Sequence, residues 1–260
     1  MKKLSSKREV KRYQEFLMNS WPAKHYYFLN GWVLRFTEGV TYRANSVFPI
    51  RYTGTKKTLD VDIDFVEKAY NAYELPPIFT MPEYFEPKFL QNILEKRGYY
   101  SFDHTITLGL EINEIQVKNV NSDFEYLILD SRVKEFSELL ANFSKRNEQE
   151  QEIIQKINQR IIIPKKCYIL VKYEGEIIGT LFAVLIPQGY MYVGDVFVHP
   201  DHRRRQVATS MLGKLVDKWK VNEVKYIWLQ VEKDNFEALN LYYKLGMKKL
   251  YDYFYMKPDR

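Results

Sequence analysis

The chain has 260 residues, 46% hydrophobic and 28% charged, with 21 Tyr, 16 Phe and a formal charge of +6. That composition suits one or two folded domains with a sizeable core and excludes a wholly disordered chain. Residues 1–118 hold 17 Lys and Arg against 14 Asp and Glu, leaving 22 against 19 beyond, so neither half is a basic arm for nucleic acid.

The densest positive run is Lys2, Lys3, Lys7, Arg8, Lys11 and Arg12, opposed only by Glu9; it reads as a solvated helix start or frayed terminus rather than a nucleic-acid contact. No apolar stretch follows it, and nowhere do about 18 apolar residues run together, so the sequence predicts neither a signal peptide nor a membrane span. Cys167 is the single cysteine; it excludes an intramolecular disulfide and points to a reducing, cytoplasmic setting.

In chain order, a helix is predicted over about 5–18, followed by an aromatic stretch from Trp21 to Trp32. GWVLRF and TYRANSVFPI then read as strands turning at Glu38 and Gly39. Apolar spacing predicts helices near 61–73, stopped by Pro76 and Pro77, and over 88–97, closed by Gly98. A strand over 104–112 completes this half. The polar segment 113–122 marks the boundary between a domain over 1–115 and one over 120–260.

The second series opens with helices over 131–142 and 146–160. Strands CYILVKY, EIIGTLFAVLI and YMYVGDVFV follow, joined by turns at Glu174–Gly175 and Pro187–Gly189 as an antiparallel meander. Val207, Met211, Leu212, Leu215, Val216 and Trp219 repeat at helical spacing. Strand VKYIWLQV precedes a helix that Asn235 can cap and that Gly246 ends. LYDYFYMK is the last strand.

The segment VFVHPDHRRRQVATSML couples a strand end to a turn with three arginines that opens onto a helix. Free N–H groups at a helix start, together with guanidinium groups, favour a phosphate-bearing ligand. His199 and His202 flank the turn without the Cys or His spacing of a metal site. GxSxG, P-loop and Rossmann glycine patterns are all missing.

This segment resembles the acyl-CoA-binding motif of the GNAT N-acetyltransferase superfamily. Val198, Pro200, Arg203 and Ala208 match the pattern, and Gln206 stands where the family has its first loop glycine. NFEALNLYYKLGM resembles the second family signature through Asn235, Ala238, Leu241, Tyr242 and Gly246. WPAKHYYFLNGWVLRF, TYRANSV, LPPIFTM and LEKRGYY resemble the first half of two-domain members, in which a GNAT-like unit lacks the cofactor motif.

The resemblance implies an α/β (α+β) fold of two GNAT-like domains, each a mixed, mostly antiparallel sheet flanked by helices. It implies acetyl-CoA as cosubstrate and transfer of its acetyl group to a primary amine, small or peptidic, by direct attack. The Val196 N–H would hold the developing oxyanion and Val198 would pair with pantetheine. Arg203, Arg204, Arg205, Gln206, Val207 and Ala208 would cradle the pyrophosphate. Tyr242 would protonate the departing thiolate, and Asn235 would touch pantetheine or brace the strands. GDVFV resembles the corresponding strand of polyamine acetyltransferases but has Gly194 in place of an acidic residue, which leaves Asp195 to deprotonate or hold the ammonium. Neither nucleic acid nor membrane is expected as a partner, and a homodimer is compatible with the sequence. The competing reading is a noncatalytic acyl-CoA-binding or interaction module, motivated by Gln206 and Gly194.

Overall fold

The computed structural model describes residues 6–117, 120–143, 146–219 and 223–259. It divides into two compact units. One comprises Met1–Thr107 with Glu232–Asp234 and Lys249–Arg260; the other comprises Leu108–Val231 with Asn235–Lys248.

The first unit begins with α1, Lys7–Ser20. Its start is a capping box in which Ser6 Oγ accepts from the Glu9 N–H and Glu9 accepts from the Ser6 N–H. Lys7 and Lys11 place their ammonium groups 2.8 and 2.7 Å from Glu86, so part of the basic run is engaged rather than solvated. Strands β1 (His25–Leu29) and β2 (Trp32–Phe36) form an antiparallel hairpin whose two-residue turn is Asn30–Gly31, both at positive φ. That turn replaces the one expected at Glu38–Gly39, because Asn-Gly is the pair that suits a two-residue hairpin loop.

The expected strand over TYRANSVFPI shrinks to β3, Val47–Phe48, preceded by a short 3-10 turn at Tyr42–Ala44. Buried Asn45 explains the loop: its Oδ1 accepts from Thr37 N–H, and its Nδ2 donates to the carbonyls of Val40 and Thr41. A side chain thus supplies what a ladder partner would have supplied.

Helix α2 (Leu59–Ala72), strand β4 (Phe79–Pro82), helix α3 (Leu90–Lys96) and strand β5 (Tyr99–Glu111) follow. The core joins Trp32, Leu34 and Phe36 to Ile63, Val66, Tyr70 and Leu94 across the sheet and the helices. The strand order in this unit is β1-β2-β3-β4, then the last strand of the chain, β11 (Lys248–Pro258), then β5. β11 runs antiparallel to β4, pairing Tyr253 with Pro82 and Tyr255 with Thr80. The contiguous division read from sequence therefore differs from the compact units, since the C-terminal strand returns to the first.

The second unit contains β6 (Glu125–Leu129), α4 (Lys134–Phe143), α5 (Glu148–Gln159), β7 (Lys166–Tyr173), β8 (Glu176–Ile186), β9 (Tyr190–Val198), α6 (Val207–Lys218), β10 (Tyr226–Glu232) and α7 (Phe236–Lys244). Its strand order is β10-β9-β8-β7-β6, antiparallel except for the β9–β10 pair. Both units are mixed α/β with mostly antiparallel sheets. Cys167 lies in the core of β7, and burial pushes its thiol up to about 12, out of reach of ordinary thiolate chemistry. No helix of the described residues is long and apolar enough to cross a membrane.

Candidate functional site

The strand that leads into the arginine turn is irregular where chemistry was expected. In the β8–β9 ladder, Phe182 pairs with Gly194 and Thr180 with Phe197, so Leu181 alone faces both Asp195 and Val196. This is a β-bulge, and Asp195 occupies it with φ +48. On the other edge of β9, parallel pairing with β10 ends at Val193 and Leu229. Gly194 to Val198 continue past the last pair, so the two strands part beside the bulge.

After Val198 the chain makes a short 3-10 turn at Pro200–His202, where His199 Nδ1 accepts from the Asp201 N–H. Arg204 and Gln206 both take left-handed conformations, with φ +61 and +64. Gln206 is the N-cap residue of α6, and its side chain does not cap the helix. The N–H groups of the first turn therefore receive no cap from Gln206, which suits a ligand rich in phosphate oxygens. Gly179 allows this helix start to sit close to β8, because a Cβ there would come within 2.9 Å of Val207 Cγ1.

The three arginines divide their contacts. Arg203 lies 3.2 Å from Glu237, Arg205 stacks 4.2 Å over Tyr173 and meets His202, and Arg204 is exposed. Phe143 packs against His199 at 4.2 Å. Among the described residues no group of three His, Cys, Asp or Glu is placed to hold a metal.

Tyr242 is buried on α7, whereas its neighbour Tyr243 is 46% exposed. Burial, reinforced by Tyr192, pushes the Tyr242 hydroxyl well above its ordinary value, so it stays protonated throughout the physiological range. Tyr192 lies against Trp228 with ring centroids 4.8 Å apart. A Cβ at Gly194 would press on Tyr192 at 3.2 Å, so the glycine makes room for this aromatic group. Asn235 caps α7 by accepting from the Ala238 N–H at 3.1 Å.

Sequence reasoning missed the partners of Asp195. Its Oδ2 accepts from Arg132 Nη1 at 2.7 Å, and its carbonyl accepts from Thr180 Oγ1 at 3.0 Å. Arg132 also donates to Gln151 and Ser137. Arg132 lies in the loop before α4, and Ser137, Gln151 and Thr180 stand on α4, α5 and β8, so no local pattern links them; the one available signal was the ordinary rule that a buried charge needs a partner.

Residues 132–247 match the model of the Acetyltransferase (GNAT) family, and residues 9–116 match one described as Probable histone acetyltransferase Rv0428c C-terminal. Over 252 residues the chain is 25% identical to the uncharacterized N-acetyltransferase YobR of Bacillus subtilis (strain 168), covering 95% of this chain and 98% of that protein. A GCN5-related N-acetyltransferase from Kribbella flavida superposes with a TM-score of 0.72 at 14% identity, over 96% of each chain. A tandem GNAT protein from the clavulanic acid biosynthesis pathway superposes at 0.59 and 10% identity, over 81% of this chain and 74% of its own. These two likenesses are of fold.

Proposed function

From the match of residues 132–247 to the Acetyltransferase (GNAT) family model, we propose that this chain is an N-acetyltransferase that moves the acetyl group of acetyl-CoA to a primary amine by direct attack of the amine. The observation that carries this reading is the parting of β9 from β10 at Val193, with a bulged strand on one side and an uncapped helix start beyond. Such an opening leaves backbone N–H groups of β9 free of strand partners, and Val198 can then align pantetheine as an added strand.

The residues present fit the cofactor. Phosphate oxygens would be met by Arg203, Arg204 and Arg205 together with the N–H groups of Gln206, Val207 and Ala208, each charge-assisted bond contributing roughly 1.5–3 kcal/mol. Bound acetyl-CoA supplies an activated acyl group and a thiol leaving group. The chain's own part begins at Val196, whose N–H donates to the oxygen on which negative charge develops. Tyr242 gives its proton to the departing sulfur. Asn235 uses its Oδ1 for the cap and keeps its amide nitrogen for pantetheine or for bracing the strands.

The amine needs a free lone pair to attack. Asp195 is the carboxylate at the bulge, with one oxygen already on Arg132; water outside the site can take the amine's proton before it binds. The acceptor class is tested by thiol release from acetyl-CoA with a panel of small and peptide amines, with products identified by mass. Tyr242→Phe is expected to lower kcat by about 10² to 10⁴ with nearly unchanged acetyl-CoA affinity, and Tyr243→Phe to leave it intact. Equal losses at both tyrosines would assign Tyr242 to packing, and cofactor binding without turnover on any amine would favour a noncatalytic module.

A further inference from the structure

Asp195 holds a backbone conformation that a residue with a side chain adopts only when its surroundings fix it. Both of its ends are fixed. Thr180, fully buried on β8, donates to its carbonyl, and Arg132 donates to its carboxylate. Arg132 is itself immobilised, because Nε donates to Ser137 Oγ at 3.1 Å and Nη2 to Gln151 Oε1 at 2.7 Å. Its guanidinium also lies 4.5 Å over the Phe136 ring. Its side chain is 2% exposed, against 16% for Asp195.

A buried ion pair of this kind is seldom more stabilising than apolar side chains of the same volume, because both charges give up hydration. What it supplies is direction. The guanidinium fork accepts only one arrangement of its three partners, and two of those stand on α4 and α5. The residue they orient is the one immediately before Val196.

We propose that Arg132 is a positioning residue for acetyl transfer, clamping the bulge through Asp195 so that the Val196 N–H is aimed at the oxyanion before substrate arrives. The proposal rests on the reading of Val196 as the oxyanion donor. It also gives Asp195 a task other than taking the amine's proton: its carboxylate is the handle by which the strand is held. A donor fixed in advance needs no reorganisation as charge develops, which is where such groups gain their effect. Arg132→Lys keeps the charge but loses the fork, and Thr180→Val releases the other end of the same residue with little change of volume.

The test uses the full chain in two measurements. The first is the NMR order parameter of the Val196 amide without cofactor, which does not depend on turnover; Arg132→Lys, Asp195→Asn and Thr180→Val are each expected to lower it from the rigid range of about 0.85 to below about 0.6 while β7 amides stay unchanged. The second is kinetic. Each variant is expected to lower kcat about ten- to a hundredfold with acetyl-CoA affinity within about threefold, and the Arg132→Lys, Asp195→Asn double variant to lose no more than the worse single one. The loss at Asp195→Asn is expected to be the same at every pH. A loss that shrinks as pH rises and the amine deprotonates unaided would make Asp195 the base and overturn the clamp; so would additive losses, or an unchanged order parameter at Val196. Absence of thiol release by the parent chain would refute the functional reading alone, because the order parameter still decides whether Arg132 fixes the bulge.

Discussion

At Gln206 the loop asks for a left-handed residue, and the physical reason for the glycine of the family pattern becomes visible: a side chain there works against the steric preference of L-residues by about 1–2 kcal/mol. Gln206→Gly is therefore expected to stabilise the protein by about 1 kcal/mol, raising Tm by about 2–4 °C. If side-chain bulk also obstructs phosphate, the same change tightens acetyl-CoA, which calorimetry reads directly. A lower Tm would mean that the glutamine side chain makes stabilising contacts of its own. Tyr242, Val196 and the arginine turn could be proposed as site residues from sequence because they sit inside short contiguous patterns. Arg132 was not, since its partnership with Asp195 spans 63 positions and depends on a bulge that no residue type announces.

Helices and long strands were legible from periodicity, as the close match of α2, α3 and the β7–β9 meander to their predicted spans attests. The edge elements were not. β1 alternates little, exposes Tyr27 and Phe28 at 48% and 73%, and so shows no buried face to a periodicity argument; β6 is short and half-buried. The hairpin turn gives a sharp test, because Gly31 has φ +88 and a Cβ would come within 2.9 Å of the Arg51 carbonyl. Gly31→Ala is expected to destabilise the chain by about 1–3 kcal/mol in a denaturant titration, and an unchanged midpoint would contradict the turn geometry. α1 is held through Glu86: burial works to raise its pKa, but the ammonium groups of Lys11 and Lys7 and the Tyr52 N–H outweigh it and hold the carboxyl at about 2. A carboxyl whose pKa is lowered on folding stabilises the protein above its unfolded value and loses that contribution as pH falls through the folded one. Glu86→Gln should therefore cost about 1–2 kcal/mol at pH 7, with the difference from the parent fading between pH 4.5 and about 2.

On the scale of the molecule, a contiguous sequence reading could not foresee that β11 leaves the unit containing α7 and pairs with β4. Strand partners separated by some 170 residues carry no local signature, and LYDYFYMK would serve either sheet. The consequence is testable with a fragment of residues 1–115, which lacks the buried Tyr251, Tyr253, Tyr255 and Met256. It is expected to show no cooperative thermal transition, and a peptide of residues 248–258 to restore one; a cooperative melt of the fragment alone would contradict the interleaved units. We propose that acetyl-CoA binds at the arginine turn of the second unit, and titration calorimetry of the full chain decides whether it does. The expected result is one acetyl-CoA per chain, with affinity falling as salt rises and weakened at least tenfold when Arg203, Arg204 and Arg205 are all replaced by Gln. No detectable heat at millimolar acetyl-CoA with folded protein, or binding indifferent to the arginines, would contradict it.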